Sequence, residues 1–101
     1  MPDLDEKITI ESITSPHRTE RVNRAKYMAM REALLKSLPA GPPGITVAEA
    51  NEAILQYLDN ELFPDGAKAP WWLKAVQLDL EAKGVIKRGP KSPVRLFRST
   101  K

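Results

Sequence analysis

The stretch from Pro70 to Gly84 constrains the fold more than any other part of the chain, because it is apolar on two opposite sides. Proline suits the first turn of a helix and glycine suits the left-handed position just past its end, so the spacing predicts a helix between them. At about 100° per residue, Ala69, Leu73, Val76, Gln77 and Leu80 share one face, with Trp72 on its flank. The opposite face carries Trp71, Ala75, Leu78 and Ala82, flanked by Lys68 and Lys74. A helix that is apolar on two sides is normally buried on two sides. The first face belongs to the core, and the second calls for a cover of its own.

Two further helices precede this one. Asn23 can cap a helix running to Leu38, where Pro39, Gly41, Pro42, Pro43 and Gly44 stop it. Within it Tyr27, Met30, Leu34 and Leu38 form one stripe. Thr46-Val47-Ala48-Glu49 has the form of a capping box and predicts a second helix to about Leu58, with Val47, Ala50, Ile54 and Leu58 inward. Pro64, Asp65 and Gly66 mark a turn-rich connection in which Leu62 and Phe63 tuck against the core. Lys7 to Ile13 reads as a short edge strand and His17 to Val22 as a loop. After Gly84, Val85–Arg88 and Val94–Arg98 flank a Gly/Pro turn and read as a hairpin.

A chain of 101 residues suits one domain, with residues 1–6 expected to be disordered. The expected core comprises Tyr27, Met30, Leu34, Leu38, Ile45, Ile54, Leu58, Leu73, Val76 and Leu80. Three helices, an extended Ile45 between the first two, and a terminal hairpin follow the winged-helix order: an α+β domain with a helix-turn-helix core, a C-terminal wing and an extra N-terminal strand. The runs Lys26-Tyr27-Met28-Ala29-Met30-Arg31, Gly44-Ile45-Thr46 and Trp71-Trp72-Leu73-Lys74-Ala75-Val76-Gln77-Leu78-Asp79-Leu80-Glu81-Ala82-Lys83-Gly84 resemble a family of small uncharacterised bacterial proteins. That resemblance implies a winged-helix-like fold and, since the family has no established activity, no function. Leu80 to Ile86 also resembles the helix-to-wing junction of winged-helix regulators in general.

Catalysis is not expected. There is no cysteine, which excludes disulfides, thiolate metal sites and a cysteine nucleophile. The one histidine, His17, sits in a loop without metal-ligand spacing, and Asp79 and Glu81 are two apart on a helix, read as solvated or salt-bridged charges. No phosphate-cradling glycine loop occurs, so neither a cofactor, a metal nor a small-molecule substrate is expected. No apolar run approaches the roughly 18 residues that would cross a bilayer, and the acidic start is no signal peptide, so a cytoplasmic protein is expected.

Charge is distributed unevenly. No basic residue lies between Lys36 and Lys68, and no acidic residue follows Glu81. A winged helix can present its third helix to a major groove and its wing to the phosphate backbone. The candidate DNA contacts are Lys68, Lys74, Lys87, Arg88, Lys91, Arg95 and Arg98, with Arg18, Arg21 and Arg24 as flanking cations. A face of tryptophan, alanine and leucine is a poor reader of base edges. Trp71, Ala75, Leu78 and Ala82 are therefore an interaction face with three conceivable covers: the N-terminal strand, a symmetric partner in a homodimer, or thymine methyls of DNA. The expected function is a non-catalytic, DNA-binding or transcription-associated protein acting on double-stranded DNA. The alternative is a protein-interaction module on the same scaffold with no nucleic acid.

Overall fold

A computed structural model describes residues 6–15, 17, 19–89 and 93–99. These form strands β1 (Lys7–Ile10) and β2 (Glu20–Asn23), helix α1 (Arg24–Ser37), strand β3 (Ile45–Thr46), helices α2 (Val47–Ala53) and α3 (Ala69–Ala82), and strands β4 (Ile86–Arg88) and β5 (Arg95–Arg98). The fold is mixed α+β, with three α-helices and small antiparallel sheets among the described residues. Residues 1–5, Arg18, Lys91 and the tip of the hairpin lie outside the described residues.

The helices begin where their caps dictate. The Asn23 side chain accepts from the Lys26 amide at 3.0 Å, opening α1. Thr46 and Glu49 complete the capping box: the Glu49 amide donates to Thr46 Oγ1 (3.1 Å) and the Thr46 amide to Glu49 Oε1 (2.8 Å). From there α1 buries Tyr27, Met30 and Leu34 against Leu73, Val76 and Leu80 of α3, and Leu38, Ile54 and Phe63 extend the same core. Ile45 and Leu58, expected within the core, are half-buried at its margin.

Three expectations need correction. Glu20–Asn23 is a strand, not a loop, and β1 ends at Ile10 rather than Ile13. β2 carries a single core residue, Val22, so it lacks the alternation that marks a strand in sequence; its partner β1 supplies the missing order through the register Ile8↔Val22. β1 stops because Ser12 and Thr14 turn the chain locally, with the Thr14 and Ser15 amides donating back to Ser12. α2 is also shorter than expected. It tightens into a 3-10 turn at Ile54–Gln56, where the Tyr57 and Leu58 amides both donate to the Ile54 carbonyl.

The second sheet has the order β3-β5-β4, with Ile45↔Leu96 on one side of β5 and Lys87↔Phe97 on the other. The Pro/Gly segment between α1 and β3 is tied to β5, since the Arg98 amide donates to the Pro39 carbonyl and the Gly41 amide to the Arg98 carbonyl. Gly44 must be glycine twice over: its φ is +81°, and a Cβ there would lie 2.3 Å from the Leu96 carbonyl oxygen.

Gly84, with φ +75° and open space around it, offers a control. Gly84→Ala should cost about 1 kcal/mol from backbone conformation alone, whereas Gly44→Ala should cost more because β5 must also shift; urea unfolding of both variants measures the difference. A second expectation concerns acid. Glu49 is held below its ordinary value of 4.5, first because it accepts the Thr46 amide and then the Thr46 hydroxyl. Its contribution to stability is therefore complete above that ordinary value and fades as pH falls through the lower folded one. An NMR titration should place the Glu49 midpoint below 4.5, and Glu49→Gln should flatten the acid side of the stability curve.

Candidate nucleic-acid interface

The two halves of α3 have different surroundings. Its C-terminal half is enclosed almost all round, because three segments converge on it. Tyr27 of α1 lies on one side, the segment Glu11–Thr14 after β1 crosses a second, and β4 returns along a third. The Ile13 amide donates to the Leu78 carbonyl (3.2 Å), and the Glu11 amide donates to Asp79 Oδ1 (2.9 Å). Leu78 and Ala75 are half-buried beside this strap and line a groove of about 350 Å³ with Ile10, Glu11 and Ser12. Of the three covers weighed for the second face of α3, the N-terminal segment accounts for its C-terminal half. Ala82 at the far end is exposed, and so is Trp71 at the near end, at 50%.

The two helix carboxylates are not solvated. Asp79 has no exposed surface, and Glu81 is 6% exposed. Asp79 accepts from the Tyr27 hydroxyl, the Glu11 amide and the Lys83 ammonium group (2.8 Å). Burial first, and then the bond to Asp79, push the Tyr27 hydroxyl well above its ordinary value. Glu81 accepts from Gln77 Nε2 (3.1 Å) and from the Arg88 guanidinium through both Nε and Nη2 (2.8 Å). The bond to Glu81 raises the Arg88 pKa. The spacings Asp79–Lys83 and Gln77–Glu81 were the available signal, since residues four apart on a helix are neighbours; the reach of Arg88 back from β4 had none.

These pairings sort the candidate cations. Arg88 is committed to Glu81, Arg98 Nε donates to the Leu38 carbonyl (3.0 Å), and Arg95 lies 3.9 Å from Glu49. Arg24 lies 3.6 Å from Glu6. Lys68, Lys74 and Lys87 are exposed, and their side chains have no ionic or hydrogen-bonded partner among the described residues. Lys68 takes the left-handed conformation (φ 60°) as the N-cap of α3, and Lys74 lies two residues short of Val76 on the open side. Lys87 projects from β4 between Ile86, which is buried, and Arg88. His17 is exposed, and among the described residues no group of three or more His, Cys, Asp or Glu could hold a metal ion. No helix among the described residues is long and apolar enough to cross a membrane.

Arg88 is thus a poor reporter of binding. Arg88→Ala leaves the Glu81 carboxylate buried with only Gln77 as partner and should cost about 1–3 kcal/mol of stability, read from chemical denaturation. Lys87→Ala, one residue away, should stay within about 0.5 kcal/mol of the parent.

Neither the curated proteins nor the solved structures contain a match to the chain. One family model does match, over residues 7–96, a span that runs from β1 to the first half of β5 and takes in all three helices and the tryptophan pair. The chain belongs to that family, the family of unknown function DUF6958.

Proposed function

We propose that the chain is a winged-helix domain that binds double-stranded DNA without catalysis, as a transcription-associated protein of the bacterial cytoplasm. The observation that carries this reading is the combination of connectivity and free charge. The order α1-β3-α2-α3-β4-β5, with β3 joined to β5 and β5 to β4, is the order of a helix-turn-helix core followed by a wing. Among the described residues, three lysines whose side chains have no partner stand at the start of α3 (Lys68, Lys74) and on the ribbon (Lys87), the two parts such a domain lays against a duplex; Lys7 on β1 and Lys26 on α1 also lack one.

On this reading the C-terminal half of α3 takes no part in base contacts, since the strap lies over it. Affinity then comes from phosphate contacts, and sequence preference is weak. The competing reading, a protein-interaction or homodimer module on the same scaffold, draws support from the half-exposed Trp71.

Binding to random duplex DNA at about 50 and 200 mM salt tests the proposal. Affinity should fall with salt, and Lys74→Ala with Lys87→Ala should weaken binding alike on every sequence and reduce the salt slope by about 1 per lysine. A protein that ignores duplex DNA at low salt does not act on double-stranded DNA, and light scattering of the same samples then shows whether it is a dimer.

A further inference from the structure

The first turn of α3 carries an aromatic arrangement that duplex binding does not use. Phe63, buried in the core, meets Trp72 edge to face, with ring centroids 6.2 Å apart and planes at 83°. Trp72 in turn meets Trp71 edge to face, at 5.2 Å and 80°. The three rings form a relay from the interior to the surface, in which each ring sets the angle of the next. Aromatic pairs of this geometry contribute beyond the area they bury, so the outermost indole is held in orientation. It is nonetheless 50% exposed.

Helical spacing sets Lys74, three residues on, beside Trp71, and Lys68, the left-handed N-cap of α3, stands three residues before it. Neither side chain has an ionic or hydrogen-bonded partner among the described residues. A rigid indole between two unneutralised ammonium groups complements a polyanion whose repeating unit bears a flat aromatic ring. In a duplex those rings are stacked on one another and offer only their edges, for which indole has little to read. In a single strand the faces are open, and stacking on an aromatic side chain is the usual means of holding them.

We propose that Trp71, with Lys68 and Lys74, forms a stacking site for an unpaired base of single-stranded DNA. The site shares Lys68 and Lys74 with the duplex reading but uses Trp71 and none of the ribbon, so Trp71 and Lys87 tell the two apart. The lysines neutralise the phosphates on either side, and the indole takes the base between them.

The test uses the full chain and a dT15 oligonucleotide at low salt, followed by tryptophan fluorescence. Trp71 and Trp72 are the two tryptophans of the chain, and Trp72 is buried, so quenching reports Trp71. The expected result is saturable quenching of the parent; with dT15 carrying a 5′-fluorescein, whose anisotropy reads binding in every variant, Trp71→Ala should weaken binding about 5- to 150-fold, the range for loss of one stacked base. Trp71→Phe should recover most of that loss, and Lys74→Ala should weaken binding and lower its salt dependence. Circular dichroism confirms that each variant is folded; Trp71→Phe, which keeps an aromatic ring, carries the comparison against Lys74→Ala should Trp71→Ala misfold. Lys87→Ala should leave dT15 binding unchanged while weakening a duplex, so failure of one reading is visible apart from the other. The proposal is overturned by dT15 that does not quench, by equal affinity of the parent and a folded Trp71→Ala, by tighter binding of the corresponding rU oligomer, or by self-association that shields Trp71 in the absence of DNA.

Discussion

A single buried carboxylate holds the parts of this molecule in relation to one another. Asp79 sits in the middle of the C-terminal half of α3 with no exposed surface, and its oxygens are met by α1 through the Tyr27 hydroxyl, by the N-terminal segment through the Glu11 amide, and by its own helix through Lys83. An ionised group taken out of water costs several kcal/mol unless donors surround it. Here the donors come from three segments, so none can move away without leaving a charge uncompensated. The Glu81–Arg88 pair does the same for the junction between α3 and the ribbon, across the turn at Gly84.

That dependence explains which parts of the structure were legible in the sequence. The helices announce themselves through features that lie close together along the chain: the Asn23 cap, the Thr46–Glu49 box, the Tyr27-Met30-Leu34-Leu38 stripe and the Gly84 stop all formed as read. β2 was missed because Glu-Arg-Val-Asn contains one apolar residue, and only pairing with β1 makes it a strand. Asp79 and Glu81 were read as solvated or salt-bridged charges; both are salt-bridged, but their burial was not legible, because Tyr27 and Arg88 are separated from them in the sequence or lie across a turn. Local periodicity registers where a side chain points, but not what arrives to meet it.

The candidate site followed the same pattern. A count of cations in the C-terminal region suggests a broad basic surface, but much of that charge is already answered: Arg88 by Glu81, Lys83 by Asp79, Arg95 in part by Glu49. Among the described residues, the lysines of this region without an ion pair sit at the start of α3 and on β4. The helix therefore divides into a structural half, fixed by buried polar contacts, and an open half that carries an indole and two lysines.

The strap over α3 is tethered at both ends, by β1 before it and by the turn leading into β2 and α1 after it. It therefore acts as a resident ligand of the apolar patch formed by Ala75 and Leu78, present at an effective concentration on the millimolar scale or above. A freely diffusing molecule seeking that patch competes against a segment that never leaves the vicinity, so weak and indiscriminate adhesion to these greasy residues is suppressed without any charge being placed among them.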